Sequence, residues 1–245
     1  MRYFLQLSYH GKNYSGWQRQ ENAVSVQETL EENLSKIFAT AIEIIGCGRT
    51  DAGVHAQDYF AHFDMDKILP ENFLHRINSM LPQDIAIHHF FEVKPDMHAR
   101  FDALSRTYKY FIHFEKNPFL EDQSFLFNQR PDIEKMNLCI RQLFGEHDFS
   151  TFEKKGSDNK TSVCILENAY WEQTETGLVF TITANRFLRN MVRRITAALL
   201  MVGLGKLNEQ EVIHAVLNKE ALEVKHAVPA KGLFLWKIEY EFNKD

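Results

Sequence analysis

One octapeptide of the sequence places an acid in a setting suited to catalysis. It follows the apolar run at residues 42–45 and reads Gly48-Arg49-Thr50-Asp51-Ala52-Gly53-Val54-His55. Glycine permits close backbone approach and unusual dihedral angles, so a short loop of this kind can present a carboxylate to a bulky ligand. Such a carboxylate can act as a nucleophile or as a base, and Arg49 lies beside it. The alternative for Asp51 is a structural role, as a helix cap or in an Asx turn.

A strongly basic stretch is the second candidate, although the whole chain has a net charge of −5. Residues 186–206 contain no acidic residue and carry the basic residues Arg186, Arg189, Arg193, Arg194 and Lys206. Apolar spacing predicts a helix that already includes residues 186–194, on which Arg186, Arg189 and Arg193 share a face. Such a face can hold phosphates or pair with a catalytic acid, since the local field is set by nearby charges. A solvated charged face is the alternative.

Aromatic and basic residues alternate in the third candidate. It begins with His98-Ala99-Arg100-Phe101-Asp102-Ala103 and continues with Arg106-Thr107-Tyr108-Lys109-Tyr110. Residues 105–114 follow the period of two that is typical of a strand, so Tyr108 and Tyr110 share one side of it. Tyrosines on a sheet surface can stack RNA bases, as in some RNA-binding domains. Packing in a core or at a sheet edge is the alternative.

Strand and helix signals recur along the chain and must position these candidates. Period-two patterns predict strands at residues 3–9, 59–63, 85–93, 105–114, 162–174, 178–184 and 233–242. Caps and apolar spacing predict helices that open at Ser25, Pro70, Asp132, Arg186 and Asn208. The order predicts an α+β fold of two related halves, residues 1–104 and residues 105–245, which share a sheet and enclose a cleft.

Composition argues against several other classes of protein. No apolar run approaches the roughly 20 residues that cross a bilayer, and the polar residues near the start do not resemble a signal peptide, so we expect a cytosolic protein. The three cysteines, Cys47, Cys139 and Cys164, are far apart and the 11 histidines lack ligand spacing. Neither a disulfide framework nor a zinc site is therefore predicted.

A series of motifs, in order along nearly the whole chain, carries a family resemblance. The motifs are Tyr9 with Gly11-Lys12-Asn13-Tyr14-Ser15-Gly16-Trp17-Gln18-Arg19-Gln20, Ser25-Val26-Gln27-Glu28, the octapeptide at residues 48–55, Leu81-Pro82 with Asp84-Ile85, His98-Ala99-Arg100-Phe101, Tyr108-Lys109-Tyr110, Gly145-Glu146-His147-Asp148-Phe149-Ser150-Thr151-Phe152, Phe187-Leu188-Arg189-Asn190-Met191-Val192-Arg193 and Ala230-Lys231-Gly232-Leu233. Together they closely resemble the TruA-type tRNA pseudouridine synthases. The resemblance implies the pseudouridine synthase fold, with a mixed, mostly antiparallel sheet and a central RNA-binding cleft.

The resemblance also implies a role for individual residues. Asp51 matches the catalytic nucleophile of the family, Tyr108 the tyrosine against the target base, and Arg193 the arginine that pairs with the aspartate. Arg49 matches an arginine that holds the target nucleotide out of its stack. We expect the other arginines of the basic stretch, in particular Arg186 and Arg189, to handle RNA.

The implied reaction converts uridine to pseudouridine at positions 38 to 40 of tRNA, in the anticodon stem-loop. The implied enzyme is a homodimer and needs no metal or redox cofactor. A non-catalytic RNA-binding protein on the same fold is the alternative function. An Asp-dependent hydrolase is disfavoured because no Asp-x-Asp adjoins Asp51 and no second carboxylate is evident.

Small departures from the family pattern concern RNA contacts and mobility. Lys160 stands where relatives often carry arginine, and Asp58 places an unusual acid shortly after the octapeptide. Lysine cannot reproduce a bidentate arginine contact. The polar residues 153–159, which include Gly156, are a candidate mobile segment.

Overall fold

The computed structural model of the protein describes residues 1–66, 68–154, 156, 160–222, 224 and 226–243. Most of the segment 153–159 that the sequence marks as mobile lies outside the described residues. The chain divides into two compact units, Met1–Leu104 with Phe234–Asp245, and Ser105–Leu233. The chain thus returns to the first unit at Phe234, whereas the sequence pattern predicts a single crossing after residue 104.

Ten strands and five α-helices are present in the described residues. In chain order they are β1 (Arg2–Tyr9), α1 (Val26–Phe38), β2 (Ile45–Gly46), β3 (His55–Asp64), α2 (Phe73–Met80), β4 (Ile85–Val93), β5 (Ser105–His113), β6 (Phe125–Leu126), α3 (Ile133–Arg141), β7 (Gly145–Asp148), β8 (Val163–Gln173), β9 (Gly177–Ala184), α4 (Met191–Gly203), α5 (Glu209–Leu217) and β10 (Leu233–Glu239). The fold class is α+β, as the sequence predicts.

In the first unit the strand order is β4-β1-β3-β10, and β2 also pairs with β3. The pairs are antiparallel except that of β3 with β10, which is parallel. Aromatic contacts pack both helices against this sheet: Phe38 of α1 lies 6.3 Å from Phe63, and Phe73 of α2 lies 5.0 Å from Phe90, between ring centroids. The Ser25 hydroxyl caps α1 by accepting from the Glu28 amide at 3.2 Å.

The C-terminal segment belongs to the first unit because its side chains complete that core. The Tyr240 ring contacts those of Phe4 at 5.7 Å and Phe60 at 5.0 Å, and its hydroxyl donates to the Ala99 carbonyl. The unusual acid Asp58 also has a structural role here. Its carboxylate accepts from the Gln6 side-chain amide at 2.7 Å and from the Ile238 backbone amide at 3.2 Å, and so ties β1, β3 and β10 together.

In the second unit the strand order is β5-β9-β8-β7, all antiparallel, and β6 pairs in parallel with β5. Helix α3 is fixed to β8 by two bonds between Asn137 and the Trp171 backbone, at 2.7 and 3.0 Å. Its Asp132 cap accepts from the Lys135 amide at 3.1 Å, and Asn208 opens α5 in a capping box. These caps confirm the starts that the sequence predicts for α3 and α5.

Helix α4 begins later than the sequence predicts. Its first residue is Met191, and Asn190 precedes it in the left-handed region, with φ 61°. The prediction of a helix through residues 186–190 is therefore wrong, and Arg186, Arg189 and Arg193 do not share a helical face. The apolar stripe from Met191 to Val202 is buried as predicted.

Burial of His62 makes the stability of the first unit dependent on pH. Its pKa is lowered to about 4, first by burial and then by the charge of Arg2. Because the folded pKa lies below the ordinary value near 6.5, the unfolded state takes up the proton first as the pH falls. The contribution of neutral His62 is complete above that ordinary value and is lost as the pH falls towards the folded pKa.

We expect acidification from pH 7 to pH 5 to remove about 2 kcal/mol of unfolding free energy through His62 alone. Urea unfolding at both pH values measures the loss, and His62→Gln should show a loss smaller by about that amount. The pKa values of His98 and His113 are also lowered, and both residues remain in the two proteins. Equal losses in wild type and variant would contradict the assignment.

In the described part of the chain, no helix is long and apolar enough to span a membrane, and no three His, Cys, Asp or Glu side chains are grouped so that they could hold a metal ion. Cys47, Cys139 and Cys164 are buried and form no disulfide.

Candidate active site

Asp51 lies in the loop of residues 47–54, which joins β2 to β3. The Cys47 amide donates to the Phe60 carbonyl at 2.8 Å and so ties the start of the loop to β3. Within the loop, the Val54 amide donates to the Asp51 carbonyl at 3.1 Å. Asp51 is half-buried and Arg49 is exposed. The chain enters β3 at His55 and not a helix, so the alternative that Asp51 caps a helix is wrong.

Three buried aromatic side chains pack together beside this loop and support it. The Trp17 ring stacks on Tyr59 with centroids 4.1 Å apart, and the Tyr9 ring meets Tyr59 at 5.5 Å. The Tyr9 hydroxyl bonds the Thr50 hydroxyl at 2.7 Å, and the Tyr59 hydroxyl donates to the Gly48 carbonyl. Burial raises the pKa of Tyr59 well above its usual value, so this hydroxyl stays protonated as a donor. Gly48 and Thr50, which both precede Asp51, are thereby fixed.

The segment of residues 10–17, called the brace, is bonded to the loop through its backbone. The Trp17 amide donates to the Thr50 carbonyl at 3.3 Å, and the Gly53 amide donates to the Tyr14 carbonyl at 3.3 Å. The close approach of the brace to the Thr50 backbone requires glycine at position 16. Gly16 has φ +96°, and a Cβ on it would lie 2.3 Å from the Thr50 carbonyl oxygen. The backbone on both sides of Asp51 is therefore bonded to the brace.

Tyr108 lies on β5 in the second unit, where it pairs with Ile182 of β9. Its side chain is half-buried, and its ring meets the Phe187 ring edge to face with centroids 5.2 Å apart. Tyr110, on the same side of the strand, is fully buried and donates to the Pro229 carbonyl at 2.8 Å. The packing alternative therefore holds for Tyr110, while Tyr108 keeps an exposed part that can face a ligand.

Arg193 lies in the first turn of α4 and is held in one orientation. Its Nε donates to the Val228 carbonyl at 2.8 Å, and its Nη1 donates to the Asn190 side-chain oxygen at 3.1 Å. The Val228 amide in turn donates to the Arg193 carbonyl at 3.3 Å. Arg193 and Arg194 both lie in the first turn of α4, at the positive end of the helix dipole. Their charges and the dipole together favour an anion there. The site suits a carboxylate or a phosphate.

The loop before α4 carries the remaining predicted site residues. Arg189 is exposed and Arg186 is half-buried. The loop is fixed by the Lys154 amide, which donates to the Arg189 carbonyl at 3.0 Å, and by Arg194, whose Nη1 donates to the Glu153 carbonyl at 2.8 Å. Asp51 and Arg49 belong to the first unit, and the other four predicted residues belong to the second.

Comparison with known proteins places this geometry in a family. A family model described as tRNA pseudouridine synthase matches residues 7–102 and 139–241. The chain belongs to the tRNA pseudouridine synthase family. It is similar to proteins named tRNA pseudouridine synthase A from Bacteroides thetaiotaomicron, at 44% identity over 98% of this chain and 90% of the relative. Its identity to those from Azobacteroides pseudotrichonymphae and Parabacteroides distasonis is 43%, over 98% of this chain and 96% of each relative.

Some residues of the motifs noted in the sequence have structural roles. Gly232, of the last motif, packs on β5, where a Cβ would lie 2.8 Å from the Phe111 carbonyl oxygen. The nearby Val228 carbonyl orients Arg193, and sequence reasoning missed it because a backbone acceptor leaves no signal in residue type. Tyr14 accepts from the Gly53 amide of the Asp51 loop and donates to Asp84, and sequence reasoning singled out neither residue. Their motifs do mark them, but residue types alone assign them no role.

Proposed function

We propose that the protein converts uridine to pseudouridine in tRNA, at neighbouring positions on the 3′ side of the anticodon stem-loop. The observation that carries the proposal is the half-buried residue Asp51 on a loop whose backbone is bonded on both sides. Membership of the tRNA pseudouridine synthase family and the names of the relatives support it. The proposed setting is the cytosol, where tRNA is present.

The reaction breaks the C1′–N1 bond, rotates the uracil while it stays bound, and joins C5 to C1′. C5 gives up its proton and N1 takes one up. In the proposal the Asp51 carboxylate acts as the nucleophile, and fixed neighbours hold it in the reactive geometry. Tyr108 offers a ring against which the detached base is confined. No redox step occurs, since the product is an isomer of the substrate.

The proposal assigns the arginines to two tasks. Arg193, already oriented by Val228 and Asn190, stabilises the ionised form of Asp51. Arg49, Arg186 and Arg189 contact the RNA. The target base must leave its stack, at a cost of a few kcal/mol, which phosphate contacts offset. The proposal includes a homodimer, and sedimentation of the purified protein tests that part directly.

Release of tritium from C5 of labelled uridine in unmodified tRNA transcripts tests the proposed function. We expect release by the wild-type protein, and chemical mapping of pseudouridine should place the product in the anticodon stem-loop. A folded protein that binds these transcripts and releases no tritium would favour the alternative, a non-catalytic RNA-binding protein. Turnover of simple glycosides or phosphoesters without RNA would favour a hydrolase.

Replacement of Arg193 by leucine tests its proposed task. We expect kcat to fall about 100-fold, with tRNA affinity within about threefold of wild type, because an electrostatic partner of a reacting group is lost. Arg130→Leu is a matched control, since Arg130 is an exposed arginine of the same unit that covers the Phe114 ring at 3.8 Å. Full activity of a folded Arg193→Leu variant would refute the pairing with Asp51.

A further inference from the structure

Asp84 is bonded to the brace through both of its carboxylate oxygens and through its backbone carbonyl. One carboxylate oxygen accepts from the Tyr14 hydroxyl at 2.6 Å, and the other accepts from the Asn13 side-chain amide at 2.9 Å. Its backbone carbonyl accepts from the His10 amide at 2.8 Å. Asp84 itself lies directly before β4, so the brace is tied to the edge strand of the sheet.

Tyr14 by itself connects Asp84 to the Asp51 loop. Its side chain ends at Asp84, while its backbone carbonyl accepts from the Gly53 amide at 3.3 Å. Tyr14 is buried, and burial followed by the Asp84 bond raises its pKa. The hydroxyl therefore remains a donor, and the bond to Asp84 persists at neutral pH.

The brace meets the loop at further points that a shift of Tyr14 would disturb. The Gly11 amide donates to His55 Nδ1 at 3.1 Å, and a Cβ on Gly11 would lie 2.0 Å from the Val54 carbonyl oxygen. With so little space between the two backbones, the brace cannot move towards the loop. Movement away would break the bonds to Gly53 and to Thr50. The position of the brace therefore fixes the position of the loop.

We propose that Asp84 is a positioning residue for Asp51, acting through Tyr14 and the brace. This inference rests on the proposed function, in which Asp51 is the reacting carboxylate. Without the Asp84 carboxylate the Tyr14 side chain loses its anchor, and the Asp51 loop samples positions away from the reactive one. A displacement of about 1 Å in a catalytic group can cost roughly 100-fold in rate.

The test compares Asp84→Ala and Tyr14→Phe with wild type in the tritium-release assay. We expect kcat to fall 10- to 100-fold in Asp84→Ala while KM for tRNA changes less than about threefold. The double variant should be little worse than Asp84→Ala, because both changes break one connection. Asp84→Asn, which keeps an acceptor for the Tyr14 hydroxyl, should recover most of the rate. Tyr14→Phe alone removes the same bond, should also lower kcat, and takes the place of Asp84→Ala if that variant does not fold.

Asp64→Ala is the matched control. Asp64 is another carboxylate of the first unit, and it accepts two bonds from Arg2 at 2.8 Å each, outside the brace. Its loss should lower stability and leave kcat unchanged. Wild-type kcat in a folded Asp84→Ala variant would overturn the inference, and so would an equal loss of kcat in Asp64→Ala.

A readout that does not need activity separates this inference from the proposed function. Hydrogen exchange of the peptide covering residues 48–56 should be faster in Asp84→Ala than in wild type and Asp64→Ala. Unchanged exchange in Asp84→Ala would overturn the inference even for an active enzyme. Absence of tritium release by wild type would instead count against the proposed function, whatever the exchange result.

Discussion

Asp51→Ala is expected to abolish tritium release, with a loss in kcat of about 10,000-fold or more, because no other group takes the place of a removed nucleophile. Asp51 is half-buried, and Gly48, Thr50 and Gly53 make bonds that fix its loop. These bonds remain in the variant, and urea unfolding checks that it is folded. Binding of tRNA, measured by filter retention, should stay within about threefold of wild type.

Two further variants make this result specific. Asp51→Asn keeps the size of the side chain and removes the charge, and it should be as inactive as Asp51→Ala. Asp58→Asn changes a carboxylate seven residues further along, on β3, which bonds Gln6 and Ile238 in the sheet. It should cost stability and keep kcat. If Asp51→Ala retained more than about a hundredth of the wild-type rate, Asp51 would not be the nucleophile.

Gly16→Ala is expected to lower the free energy of unfolding by about 4 kcal/mol, the largest stability effect among the substitutions considered. Two costs add at this position. The backbone has φ +96°, which side chains other than glycine rarely adopt, and the new Cβ would lie 2.3 Å from the Thr50 carbonyl oxygen. That oxygen is backbone, so relief requires the brace and the Asp51 loop to separate. Urea unfolding measures the loss.

Gly48→Ala, in the Asp51 loop, provides the control. A Cβ on Gly48 would have no heavy atom within 4 Å, and its φ is not positive. Its stability should stay within about 0.5 kcal/mol of wild type. A Gly16→Ala variant as stable as Gly48→Ala would show that the brace and the loop are not packed as closely as described.

Local signals in the sequence were sufficient for most elements. The period of two from Ile85 to Val93 gives the bounds of β4, and the caps Ser25, Asp132 and Asn208 mark the starts of three helices. These patterns are reliable because alternation and capping depend on residues within one turn or one strand. The Asp51 loop was recognisable for the same reason, since its glycines and its acid lie within eight residues.

The start of α4 shows where local pattern fails. Phe187 and Met191 are apolar at helical spacing, which predicts a helix through both. Phe187 instead packs on the Tyr108 ring, and Leu188 beside it is buried. Asn190 adopts a left-handed conformation, so the helix begins only after it. A side chain that fits a partner elsewhere in the unit can override helical spacing.

The sequence by itself indicated the family, most of the elements and a candidate catalytic acid, because each of these depends on residue type and short-range spacing. Only the tertiary structure decided what holds that acid in place. The bond from Tyr14 to Asp84 spans 70 positions, and that from Tyr9 to Thr50 spans 41. Contacts of this kind depend on which surfaces meet after the chain has folded, and backbone acceptors such as the Val228 carbonyl have no side-chain signature by which a sequence could reveal them.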